Sequence, residues 1–90
     1  MKQVVFYETG LPENVLRLEE IEKPTPKAGE ALVRITARNI NPSDMMFVQG
    51  LYGITPKLPS SAGFEASGVV EESATFPKGT RVMFTSVGTW

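Results

Sequence analysis

The sequence predicts an all-β domain with one short helix, folded as a small β-barrel or an open sheet, and three observations predict it. Residues 30–39 alternate in polarity with a period of two. Four other short stretches, rich in Val, Phe, Tyr or Thr, are bounded by Gly and Pro. One segment alone, beginning at Asn41, has both a helix start and a helix stop.

Lys2 to Glu8, with Val4, Val5, Phe6 and Tyr7 in succession, reads as a strand ended by Thr9-Gly10-Leu11-Pro12. Val15 to Glu20 reads as a second strand, with Val15, Leu16 and Leu18 supplying its half-buried side. In Lys23-Pro24-Thr25-Pro26-Lys27-Ala28-Gly29 each proline lacks a ladder donor, so this stretch is a surface connector. Glu30 to Asn39 sets Ala31, Val33, Ile35 and Ala37 against Leu32, Arg34, Thr36 and Arg38, and reads as a long strand.

The helix spans roughly residues 42–49. Asn41 can cap it, Pro42 suits the first helical position, and the Asp44 carboxylate meets free amides at the positive end of the dipole. Gly50 is the natural stop. Residues 51–62 hold Gly53, Pro56 and Pro59 and read as loop. Glu65 to Glu72 and Thr80 to Thr85 complete the strands, the last introduced by Pro77-Lys78-Gly79.

Composition narrows the functional classes. Ninety residues make one small domain, able to bury about 60–65% of the surface of its unfolded chain. The net charge is -1 and the cations are scattered singly, so nucleic acid is not an expected partner. No apolar run approaches the ~20 residues of a membrane helix, and the opening is too short and too alternating for a signal-peptide core. The expected compartment is the cytoplasm. The sequence has no Cys and no His, which excludes disulfides, thiol nucleophiles and imidazole bases, and nearly every transition-metal site.

Three punctuated signatures follow in order: Asn41-Pro42-Ser43-Asp44, Gly50-Leu51-Tyr52-Gly53 and Gly63-Phe64-Glu65-Ala66-Ser67-Gly68-Val69-Val70. This order resembles the N-terminal region of the medium-chain dehydrogenase/reductase superfamily. Within it, the chain is most similar to the zinc-independent quinone oxidoreductases and 2-enoyl thioester reductases. The resemblance runs over nearly the whole chain. It implies a partial GroES-like β-barrel spanning 1–90, the substrate-side domain of a reductase, incomplete at its C-terminal side. The Rossmann domain of such enzymes is absent from this sequence, as is any Gly-x-Gly-x-x-Gly. The zinc-dependent members keep a Cys and a His at places that here read Pro42 and Phe64, so no metal is expected.

Tyr52 matches a tyrosine assigned to catalysis in the enoyl reductases. When hydride reaches the β-carbon of an unsaturated carbonyl, charge develops on the carbonyl oxygen, and a zinc-free site needs a hydrogen-bond donor there. A phenol with pKa ≈ 10 stays protonated at neutral pH and can donate. Residue type alone favours a ring stacked over a turn with its hydroxyl in water; the motif context shifts the choice to chemistry. Asn41 has two roles open to it: helix cap, placed first, and wall of the nicotinamide pocket, which the resemblance implies. Asp44 is read as structural. Glu65, at the head of an apolar strand, is read as one half of an ion pair with Arg38, Arg34 or Arg81. Gly63 and Gly68 are read as sites of close backbone approach and bulging.

The resemblance thus implies an NADPH-dependent reductase of quinones or α,β-unsaturated carbonyl or enoyl thioester compounds, acting on a small-molecule substrate. This chain by itself is expected to be inert. A homo-oligomer is expected, because an unclosed barrel leaves a strand edge and apolar side chains uncovered; failing that, the chain would be loosely ordered near Phe84–Trp90. The alternative from another class is a non-catalytic β-barrel binding module that uses its Pro-rich loops for recognition.

Overall fold

Two antiparallel three-stranded sheets carry the chain in the computed structural model, which describes residues 1–90. In chain order the elements are β1 (Lys2–Phe6), α1 (Pro12–Val15), β2 (Arg17–Glu20), β3 (Ala31–Arg38), α2 (Pro42–Gln49), β4 (Ser60–Ser61), β5 (Glu65–Ser73) and β6 (Arg81–Thr85). One sheet has the order β2-β1-β4 and the other β3-β5-β6. The sheets do not close into a barrel, so the open-sheet form of the sequence expectation is the one observed.

Three features differ from the sequence expectation. Val15 does not lie on the second strand. Pro12 at a first helical position starts the single turn α1, which carries Val15 into the core, and β2 begins only at Arg17. Leu18, expected on the buried side, is exposed. The third is β4, two residues long, inside the stretch read as loop. It exists only because Ser60 and Ser61 pair with Phe6 and Val5, a long-range contact with no local signature.

β3 keeps its period of two only in part. Val33 and Ile35 are half-buried, but Ala31 and Ala37 are exposed. Register shifts between Leu32 and Val33 and between Ile35 and Ala37 interrupt its pairing with β5, and each shift rotates the following side chains relative to the pleat. Gly68 sits opposite Ile35 within this irregular stretch. A Cβ there would collide with the Arg34 carbonyl oxygen and lie 2.8 Å from Val33 Cγ1. The close approach inferred for Gly68 is therefore real.

The core lies between α2 and the β1 sheet. Phe6, Val15, Phe47, Val48 and Ala62 form it, with Leu16, Phe64 and Trp90 packed against it. Burying Phe47 alone contributes about 1.5–3 kcal/mol, and its ring meets Phe6 edge-on at 5.9 Å and Phe64 at 5.1 Å. The end of the chain is tied into this core rather than loosely held. The Trp90 backbone N–H donates to the Ala62 carbonyl (3.0 Å), and its indole Nε1–H donates to the Asn39 carbonyl (3.1 Å). Gly63 (φ +92°) passes beneath Thr89 and Trp90 with no space for a side chain. On the opposite side an apolar cleft of about 790 Å³ stays open between the sheets, lined by Leu32, Val33, Ile35, Phe76, Val82 and Phe84 among others.

Candidate functional site

The site is built around the N-terminus of α2 and the head of β5. Asn41 takes an extended conformation before Pro42, as an N-cap residue does, and the Asp44 Oδ2 accepts the Asn41 backbone N–H at 2.7 Å. Asp44 is fully buried, which fits the structural role read for it, and its Oδ1 has no hydrogen-bond partner. The Asn41 side chain and the Asp44 N–H lie in a capping-box arrangement. That N–H, however, donates to the Asn41 backbone carbonyl at 3.0 Å, so the side chain makes no cap hydrogen bond.

The Asn41 side chain is used elsewhere: its Nδ2 donates to Glu65 Oε2 at 3.0 Å. Asn39 Nδ2 donates to the same oxygen at 3.1 Å. Glu65 therefore forms no ion pair, contrary to the sequence expectation. The arginines proposed for it are occupied or remote: Arg38 Nε donates to the Thr89 carbonyl at 2.7 Å, and Arg34 lies beside Glu71. Two neutral amides replace the single cation. Asn39 was missed at the sequence level, although a signal was present. In extended chain, residues two apart face the same way; Asn39 and Asn41 share a face, while Ile40 between them is 75% exposed.

Tyr52 follows α2 directly. Gly50 ends the helix in the left-handed conformation (φ +76°), and the N–H groups of Gly50 and Leu51 close on the last-turn carbonyls. That reversal delivers the Tyr52 ring to Phe64, with centroids 5.6 Å apart and planes tilted by 36°. The ring is thus the outermost member of an aromatic row running from the core, Phe6–Phe47–Phe64–Tyr52. Tyr52 is 39% exposed. Of the two tyrosines, Tyr7 has its hydroxyl committed to Glu19 at 2.8 Å, whereas the Tyr52 hydroxyl takes no partner from the chain. Gly53 has open space on its Cβ side, so nothing in the chain itself requires a glycine there.

Phe64 and Glu65, neighbours in sequence, thus hold the two candidates together: Phe64 supports the Tyr52 ring and Glu65 binds the Asn41 amide. The side chains of Pro42 and Phe64 offer no donor atom to a metal. No three acidic side chains converge as a metal-binding group, and no helix is long and apolar enough to cross a membrane.

Two three-stranded sheets with one eight-residue helix are the framework of a GroES-like domain of the alcohol dehydrogenase type. The alcohol dehydrogenase GroES-like domain model matches residues 27–89, and the chain belongs to that family. Among relatives, it is 42% identical over 69 residues to the mitochondrial enoyl-[acyl-carrier-protein] reductase of Xenopus tropicalis, covering 77% of this chain and 20% of that protein. Among solved structures, the human synaptic vesicle membrane protein VAT-1 homolog-like protein superimposes with a TM-score of 0.89 at 36% identity, over 100% of this chain and 30% of that one. The Escherichia coli quinone oxidoreductase complexed with NADPH gives a TM-score of 0.86 at 32% identity, over 98% of this chain and 28% of that one. The chain therefore spans between a fifth and a third of the length of these relatives.

Proposed function

We propose that residues 1–90 form the substrate-side domain of a zinc-independent, NADPH-dependent reductase of quinones or α,β-unsaturated carbonyl or enoyl thioester compounds, whose nucleotide-binding domain lies outside this chain. The observation that carries the proposal is the joint support of Tyr52 and Asn41 by the adjacent pair Phe64-Glu65. Kinship to an enoyl reductase and to a quinone oxidoreductase complexed with NADPH gives the reaction class.

The residues present suit a nicotinamide and a carbonyl substrate. Asn41 offers an amide and Tyr52 an uncommitted hydroxyl, one beside the other's support. NADPH, when bound, supplies the hydride. Tyr52 donates its O–H to the substrate carbonyl oxygen and stabilises the negative charge that gathers there as the β-carbon is reduced. A donor of this kind contributes about 3–4 kcal/mol to the transition state. The aromatic row behind the ring keeps that hydroxyl in place without reorganisation during the reaction. Asn41 faces the cofactor in this reading, where its amide can meet the carboxamide or the ribose. The absence of Cys and His supports a metal-free mechanism.

A cytoplasmic enzyme remains part of this reading, as does a homo-oligomer, the latter supported by the apolar surface left open between the sheets. The test is NADPH consumption by the full-length protein with a quinone and with an enoyl thioester. Turnover of either supports the reading; turnover of neither, in a folded protein that binds NADPH, overturns it.

A further inference from the structure

The two asparagine side chains that meet Glu65 both present their NH₂ ends to its Oε2, at 3.1 Å from Asn39 and 3.0 Å from Asn41. An asparagine amide is polar at both ends and nearly symmetric in shape, and its orientation is fixed by what its partner can accept. Asn41 could otherwise offer either a donor or an acceptor to a ligand. With Nδ2 held by Glu65 at 3.0 Å, the carbonyl Oδ1 lies on the capping-box side, towards the Asp44 N–H, with which it makes no cap hydrogen bond, and it keeps its capacity to accept from a ligand.

We propose that Glu65 is a positioning residue: it sets the polarity of the Asn41 amide so that the site presents a hydrogen-bond acceptor, selecting a ligand group that donates a hydrogen bond. This rests on the reading of Asn41 as a cofactor-facing residue, and it specifies what that residue recognises, the amide NH₂ of a carboxamide. Asn39 shares the carboxylate oxygen at 3.1 Å and braces it from the same side of the extended segment. The backbone frame is held on both sides. Asn41 is anchored through its N–H to buried Asp44, and Glu65 begins the ladder of β5 opposite Thr85.

The test compares two oxidised cofactors on the full-length protein: NADP⁺ and its 3-acetylpyridine analogue, in which a methyl group replaces the carboxamide NH₂. Dissociation constants are measured directly, with no turnover. Wild type should favour NADP⁺ by about tenfold, the worth of one hydrogen bond. Glu65→Ala frees the Asn41 amide to turn, and the preference should fall to within about twofold. Glu65→Gln, whose carbonyl can still accept from both asparagines, should retain most of it. Asn41→Ala should abolish it.

If Asn41→Ala abolishes the preference while Glu65→Ala leaves it intact, the positioning role is overturned and the cofactor role of Asn41 stands. If neither variant changes the preference, carboxamide recognition by Asn41 is overturned, and the positioning role falls with it. Should Glu65→Ala fail to fold, the isosteric Glu65→Gln decides through a second measurement. The Asn41 side-chain NH₂ resonances, identified by their loss in Asn41→Ala, should shift when the carboxylate becomes an amide; unmoved resonances would overturn the contact.

Discussion

Tyr52 lies against Phe64 with ring centroids 5.6 Å apart, and Phe64 in turn meets the buried ring of Phe47 at 5.1 Å. A side chain on an exposed turn is thereby tethered to the core through its apolar face. Its hydroxyl stays unattached. Ring and hydroxyl have separable roles, and a single substitution distinguishes them.

Tyr52→Phe keeps the ring on Phe64 and removes only the donor. In the full-length enzyme kcat and kcat/KM should fall together by about 10²–10³-fold, because the interaction strengthens only in the transition state. NADPH affinity should change little. Steady-state kinetics with the hydride step rate-limiting checks this, and a loss within about threefold would leave Tyr52 as a packing residue.

Gly68→Ala should destabilise the fold by about 1–3 kcal/mol, since the new methyl meets the Arg34 carbonyl inside the β3–β5 ladder. The backbone there cannot move away without breaking neighbouring pairs. Gly53→Ala, with open space around it, serves as the control and should be near neutral. Urea unfolding of both variants gives the comparison; equal midpoints would contradict the close approach.

Glu71 couples pH to stability. The hydrogen bond from Lys23 at 2.8 Å, more than the nearby charges of Lys23, Arg34 and Lys78, holds its carboxyl below the usual glutamate value of 4.5. A carboxyl depressed in the folded state stabilises above its unfolded value, and that stability is lost as pH falls through the folded value. Wild type should therefore lose its advantage over Glu71→Gln only below about pH 4.5. The pair is on the surface, so the Tm difference at neutral pH should be about a few degrees or less and shrink in high salt. A difference unchanged between neutral pH and pH ~3 would sink the assignment.

Metal content offers a direct check on the zinc-free reading. Elemental analysis of chelator-treated full-length protein should find no stoichiometric zinc attributable to this domain. One tightly held zinc lost on deleting residues 1–90 would require ligands that Pro42 and Phe64 do not supply.

Sequence alone determined what depends on neighbours along the chain. The bounds of α2 were legible because Asn41-Pro42, Asp44 and Gly50 act within one helix, and Pro42–Gln49 is where it forms. The strands at 31–38, 65–73 and 81–85 were legible from alternation and flanking glycines, and the motif order carried the family and the candidates Asn41 and Tyr52. Tertiary structure decided what depends on residues far apart. β4 is two residues that become a strand only against β1. Val15 is buried by a four-residue turn too short to announce itself. Glu65 found two asparagines instead of an arginine, because Arg38 is drawn to the Thr89 carbonyl some fifty residues away. Hydrogen-bond choice among several chemically adequate partners is a matter of distance and direction, and those exist only once the sheets have packed.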